Sequence, residues 1–300
     1  MALPLNNPSN WPALLALALI RMTVALPHRL RLAIGRGAGR LAMRVMRKRR
    51  AIALRNLQLC FPEWSDTHRK AVLKAHFKSL GMGLVELAMA AWCPDPQIGD
   101  LVEVKGAEHL EAALSEGRGV IAMSGHFSAL EFTARALDFP PPGLVAVYRP
   151  GGNAVFAYLV NRARLRTASD TLSKYDVRGM VKALRSGAVL WYAGDQMTDA
   201  KSAELAPFFG EPAMTGTALG RLARISGAPI VSWFTRRLKD GRYQVELLSI
   251  PEDFPGDSPQ EEAERVNALI EEQVRRAPEQ YYWIHRRFKR RPAPLPDPYD

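Results

Sequence analysis

Apolar and polar positions divide the chain into a helical first part and an alternating remainder. Residues 11–27 are apolar except for Arg21 and Thr23. That run is short for a bilayer-spanning helix, which needs about 20 residues. Its charges follow the apolar stretch instead of preceding it, unlike a signal peptide. Leu30, Ala33, Ile34, Leu41, Val45 and Ile52 then interleave with arginines at near-helical spacing. The pattern predicts a basic amphipathic helix of the kind that lies in a membrane interface. Residues 62–92 predict a long helix that buries Val72, Leu73, Phe77, Leu80, Leu84 and Leu87, ended by Pro94-Asp95-Pro96. Beyond it strands are expected at 101–104, 120–123, 144–148, 189–193, 229–234 and 243–250. Helices are expected at 108–116, 128–137, 153–166, 177–186, 215–226 and 259–277. The alternation predicts one α/β domain over 61–291, a mainly parallel mixed sheet flanked by helices. A membrane-associating segment, 1–60, precedes it, and a loose proline-rich tail, 292–300, follows.

The stretch from Val120 to Glu131 organises the rest. Val120–Met123 reads as a buried strand between Gly119 and Gly125, and Ser128 with Glu131 reads as a helix start. His126 falls in the turn between them, at a strand's carboxyl end, where α/β sheets present reactive groups. Helical residues five apart diverge by about 140°, so His126 and Glu131 converge only if His126 precedes the helix. Glu131 would then accept a hydrogen bond from one imidazole nitrogen and leave the other free as a base. The alternative is a capping box from Glu131 to Ser128, with His126 an ordinary turn residue.

Charge sharpens the first part. The net charge is +11, from 41 basic and 30 acidic residues, and residues 1–62 contain no acid. Such a segment seeks an anionic surface. A lipid leaflet fits better than nucleic acid, because no RNP-like aromatic pattern, zinc finger or heptad zipper is present. Basic charge stays cytoplasmic, which places the chain on the inner leaflet. Cys60 and Cys93 lie far apart and form no metal motif, in keeping with a reducing compartment. There is no GxSxG, no GxxxxGK[ST] and no HExxH. Gly35, Gly37 and Gly39 do not fit a dinucleotide fingerprint, so no cofactor and no metal is expected. A base with no evident protein nucleophile favours direct transfer to a hydroxyl or to water.

His126-(four residues)-Glu131 resembles the HX4D/E motif of the glycerolipid acyltransferase superfamily. Four further stretches sharpen the resemblance: Tyr148-Arg149-Pro150 with Asn153; Gly194-Asp195-Gln196; Pro207-Phe208-Phe209-Gly210 with Pro212 and Thr215; and Pro278 through Lys289. Together with the N-terminal segment they are similar, over nearly the whole chain, to the late acyltransferases of lipid A biosynthesis, the lauroyl/myristoyl group. The resemblance implies transfer of a fatty acyl chain from acyl carrier protein to a hydroxyl of a lipid A precursor. The setting it implies is the cytoplasmic face of the inner membrane, against anionic phospholipid.

In that reading His126 is the base, Glu131 orients it, and Arg149, Asn153, Asp195, Gln196 and Thr215 are candidate substrate-binding residues. Arg149 reads as a phosphate clamp, an oxyanion donor or a surface salt bridge. Asp195 reads as a turn cap or a partner of Arg149. Arg286, Arg287 and Lys289 would face phospholipid or an acidic carrier. Phe208 and Phe209 read as core, with an acyl path as the alternative. Three rival functions stand beside this one: transfer to a mannosylated lipid, an amino-acid lipid or a lysophospholipid; hydrolysis by a membrane-bound thioesterase; and non-enzymatic membrane or nucleic-acid binding.

Overall fold

The computed structural model describes residues 7–149, 152–196, 202–250 and 253–300. Its helical part comprises α1 (Trp11–Thr23), α2 (His28–Val45), α3 (Arg47–Cys60) and α4 (Asp66–Trp92). No helix among the described residues is long and apolar enough to cross a membrane. α1 has 13 residues, about 20 Å at 1.5 Å per residue, against a hydrocarbon core of about 30 Å. Arg21, the charge inside the apolar run, lies 5.6 Å from the centroid of Trp92, and Arg162 lies 5.6 Å from the same centroid. Two cations on one indole fasten α1 to the domain. Trp11, Leu15, Leu19 and Met22 on α1, and Leu30, Ile34, Leu41 and Val45 on α2, stay exposed.

α2 lies directly on α4. A Cβ on Gly39 would sit 2.0 Å from the Phe77 carbonyl oxygen, and one on Gly81 would sit 2.1 Å from that of Gly35. Gly35, Gly39 and Gly81 are there to let two helix backbones touch. α4 starts at Ser65, whose hydroxyl accepts from the His68 amide. It buries Val72, Leu73, Phe77 and Leu87 but leaves Leu84 exposed.

After α5 (Asp95–Gly99) the strands are β1 (Val102–Lys105), β2 (Val120–Ser124), β3 (Leu144–Tyr148), β4 (Ala168–Ser173), β5 (Val189–Ala193), β6 (Ala203–Phe208), β7 (Glu211–Gly216), β8 (Ile230–Arg237) and β9 (Tyr243–Ser249). Seven of them form one sheet in the order β1-β9-β8-β2-β5-β3-β4. Its pairs are parallel except β8–β9. β2 is buried at every residue, as a central parallel strand must be. The connecting helices are α6 (Ala107–Ser115), α7 (Leu130–Thr133), α8 (Ala154–Arg164), α9 (Val177–Arg185), α10 (Ala218–Ser226) and α11 (Pro259–Arg276).

Four expectations need correction. The helix expected at 128–137 is only α7 followed by a 3₁₀ turn, Ala134–Ala136. Ala129 precedes it with a left-handed φ of 67°, and the Ser128 hydroxyl does not cap it. That hydroxyl instead lies 2.7 Å from Ser79 Oγ and donates to the Gln280 carbonyl. Thr215 belongs to β7, not to the start of α10. The polar edge strand β4 and the β6–β7 hairpin were not expected; the hairpin turns at Phe209 and Gly210, both with positive φ. The tail is not loose: Arg55 donates to the Pro298 carbonyl, and Tyr299 Oη accepts from the Phe288 amide and meets Asn56.

Candidate active site

The site forms where β2 and β5 end side by side. Their parallel register pairs Ser124 with Ala193, and the Gly194 amide donates to the Ser124 carbonyl at 3.1 Å. His126 and Asp195 each lie two residues past that last pair, so the two chains leave the sheet together at its carboxyl edge. Asp195 Oδ1 is 2.5 Å from His126 Nδ1, and Asp195 Oδ2 accepts from the His126 amide at 2.9 Å. The His126 side chain is 39% exposed and that of Asp195 is 1% exposed. Nε2 makes no hydrogen bond among the described residues, and the imidazole lines an open cleft of about 350 Å³.

The charges of this pair sustain each other. Burial disfavours the imidazolium, but the charge and hydrogen bond of Asp195 outweigh it, and the His126 pKa lies above its usual 6.5. Burial likewise disfavours the Asp195 carboxylate. Its contacts with His126, and the nearby Arg287 charge, bring its pKa down to about 2. The Tyr281 hydroxyl lies against Asp195, and burial and that carboxylate push its pKa well up.

The carboxyl-terminal segment straps the His126 loop in place. The Tyr282 amide donates to the His126 carbonyl at 3.0 Å, the Ser128 amide donates to the Gln280 carbonyl at 3.0 Å, and Phe127 pairs with Tyr281.

Glu131 does not touch the imidazole. Its Oε1 accepts from Arg164 Nε at 3.2 Å and Nη2 at 3.0 Å. Arg164 lines the cleft and lies 5.8 Å from the Trp191 ring centroid. Glu131 influences His126 only through space, as a favourable charge. The carboxylate that holds His126 is therefore Asp195. Asp195 is committed to that task and does not hold Arg149.

A family model for "Bacterial lipid A biosynthesis acyltransferase" matches residues 3–290. The chain belongs to this family. It is 39% identical over 297 residues to the lipid A biosynthesis lauroyltransferase of Escherichia coli (strain K12), covering 98% of this chain and 97% of the relative. It is 35% identical to the palmitoleoyltransferase of the same organism, covering 96% and 94%. The myristoyltransferase of that organism is 28% identical, covering 98% and 92%.

Within this lipid A acyltransferase frame, the remaining candidate residues separate. Arg149 and Gln196 line the cleft with His126, and Arg149 is exposed. Pro150 and Gly151 lie outside the described residues. Asn153 is the N-cap of α8: its Oδ1 accepts from the amides of Val155 and Phe156. Thr215 is fully buried and cannot meet a substrate; its hydroxyl joins Asn267 and Arg287. Arg287 is buried too, donating to the Met214 carbonyl, Thr215 and Asn267. It cannot face a lipid or a carrier. Phe208 is fully buried, and both Phe208 and Phe209 pack in the core. No group of His, Cys, Asp and Glu among the described residues is arranged to hold a metal ion. The sequence reading missed Arg164 and the role of Tyr281, because each meets its partner only across the fold: 33 residues separate Arg164 from Glu131, and Tyr281 reaches Asp195 from the carboxyl-terminal strap.

Proposed function

We propose that the protein transfers a fatty acyl chain from the thioester of acyl carrier protein to a hydroxyl of a lipid A precursor. The observation that carries the reading is the His126–Asp195 pair, with Nε2 free on a cleft, inside a chain of this family. His126 Nε2 takes the acceptor's hydroxyl proton as its oxygen attacks the thioester carbonyl. Asp195 fixes the Nδ1–H tautomer and stabilises the imidazolium. The tetrahedral oxyanion collapses, the carbon–sulfur bond breaks, and the imidazolium returns its proton to the departing thiolate. The new ester remains on the acceptor. No protein nucleophile enters, so no acyl-enzyme forms.

Glu131 is a positioning residue here. It immobilises Arg164, which supplies positive charge to the oxyanion from the cleft wall. Arg149 meets a phosphate of the acceptor with its guanidinium fork. The exposed apolar side of α1 and α2, among the basic residues of the first 60, rests in the inner membrane's cytoplasmic leaflet. That position brings a lipid acceptor to the cleft while the carrier approaches from water.

The experiment is transfer of label from acyl carrier protein to a lipid A precursor by the full-length protein in detergent. A labelled, acceptor-dependent ester that disappears in His126→Ala supports the proposal. Release of free fatty acid at the same rate with and without acceptor points to hydrolysis instead.

A further inference from the structure

The cations of the second half of the chain sort by what they meet. Arg164, Arg237, Arg265, Arg276 and Arg291 each hold a carboxylate. Others meet none among the described residues; they include Arg149, Lys289, Arg290, Arg221, which lines the His126 cleft, and Lys174, whose ammonium lies 4.5 Å from the Tyr175 ring centroid. Arg286 lies over the Tyr299 ring.

Four of these, Arg149, Lys174, Lys289 and Arg290, gather at one place. β3 and β4 are parallel, and Tyr148 pairs with Ser173. Arg149 and Lys174 are the next residue on each strand, so they leave the sheet as neighbours, and the Lys174 amide donates to the Tyr148 carbonyl at 2.8 Å. Both line the cleft that holds His126. Lys289 comes from the carboxyl-terminal strap. Asn56 holds that strap by donating to the Trp283 and His285 carbonyls, both at 2.7 Å. Burial and the charges of Arg290, Arg149, Lys174 and Arg286 together push the Lys289 pKa below its usual value. The next residue, Arg290, holds a left-handed φ of 59°, a conformation that costs a non-glycine residue energy. Three segments of backbone thus bring like charges together, and an anion placed among them would relieve their repulsion.

We propose that Arg149, Lys174 and Lys289, flanked by Arg286 and Arg290, form a binding site for a phosphate monoester of the acceptor, beside the cleft that holds His126. The proposal rests on the acyl-transfer reading for the identity of the acceptor, but not for the chemistry of the site. A phosphate monoester brings a charge of about −1.5 to −2 and three acceptor oxygens to one point. Cations from separate strands can share those oxygens. Carboxylates on a carrier protein are single charges spread over a surface, whereas Arg149 and Lys174 face one cleft. The site would set which hydroxyl meets His126 by fixing the sugar through its phosphate.

The test compares the intact acceptor with the same acceptor after phosphatase treatment, using wild type, Lys289→Met, Lys174→Met and Lys289→Arg. Lys289→Met and Lys174→Met should raise KM for the phosphorylated acceptor about tenfold more than for the dephosphorylated one, the loss of one charge-assisted contact. Lys289→Arg should restore most of it. An equal change for both acceptors overturns the site. So does a change confined to KM for acyl carrier protein, which would make the patch a carrier-docking surface.

A second arm needs no catalysis. Inorganic phosphate should show ³¹P line broadening with wild type and lose it with the double variant Arg149→Ala, Lys289→Met, its fold checked by melting temperature. Broadening that is absent from wild type, or equal in the variant, overturns the site. Broadening that is lost as expected, with no transfer to any lipid, leaves the site standing and removes the acyl-transfer reading.

Discussion

Two charged pairs built by the same chain differ in one respect that separates structure from chemistry. Glu86 on α4 meets Arg237 on β8 through two hydrogen bonds, at 2.5 and 2.6 Å. Tyr243 donates to the same carboxylate, and Arg237 donates also to Ser79. Both side chains are at most 6% exposed. Every strong donor of this pair has a partner, so it has nothing left to offer a substrate. His126–Asp195 also buries its carboxylate, but the imidazole stands 39% exposed with Nε2 on the cleft. A closed pair ties elements together; an open one moves protons. The two are mechanically linked, since Ser79 reaches Ser128 in the site loop and Gln280 bonds the Arg237 backbone both ways.

The difference is tested by breaking each pair. His126→Ala should lower transfer by roughly 10²–10⁴-fold, the usual contribution of a positioned base, with little change in melting temperature. Glu86→Ala should do the opposite. It leaves a guanidinium buried without its partner, which costs about 3–5 kcal/mol of stability, while the fraction that stays folded loses far less turnover than His126→Ala, since the closed pair reaches the site only through Ser79 and Gln280. Urea unfolding and initial rates on the same samples check both. If Glu86→Ala leaves stability intact, the closed pair is not structural.

What the sequence disclosed follows the same division. β2, β3, β5, α4 and α11 are legible because each carries a pattern of its own, and the turn position of His126 follows from β2. Asp195 as the partner of His126 was not legible. Nothing local says that β2 and β5 are neighbours, and 69 residues separate the two side chains. Glu131 had the right spacing, but the left-handed Ala129 and the shortness of α7 direct it to Arg164. β4 and the β6–β7 hairpin lacked a hydrophobic alternation to announce them. Thr215 looked like a helix start and is instead buried in β7, where Arg287, read as a surface cation, reaches it.

Smaller effects refine the open pair. Glu131→Gln should loosen Arg164 and lower kcat without abolishing transfer, because one hydrogen-bonding oxygen remains; Glu131→Ala should cost more. Equal losses would mean that the charge of Glu131, not its grip on Arg164, is what counts. Transfer by wild type should also fall at low pH. The base must be neutral, its pKa is raised above 6.5 by Asp195, and below that pKa the imidazolium accumulates. Stability runs the other way. The raised pKa gives the folded state an advantage that is full below 6.5 and fades as pH rises through the folded value. A rate–pH profile that is flat from pH 5 to 9 would exclude titration of the base as the controlling event.

Asp195, and not Glu131, governs His126. The most direct measurement is the pKa of His126 by ¹⁵N–¹H NMR of the imidazole in wild type, Asp195→Asn and Glu131→Gln. Asp195→Asn should lower that pKa markedly and remove the Nδ1–H to carboxylate hydrogen-bond signature, while Glu131→Gln should lower it only slightly and leave the signature in place. A larger shift in Glu131→Gln than in Asp195→Asn would contradict the claim.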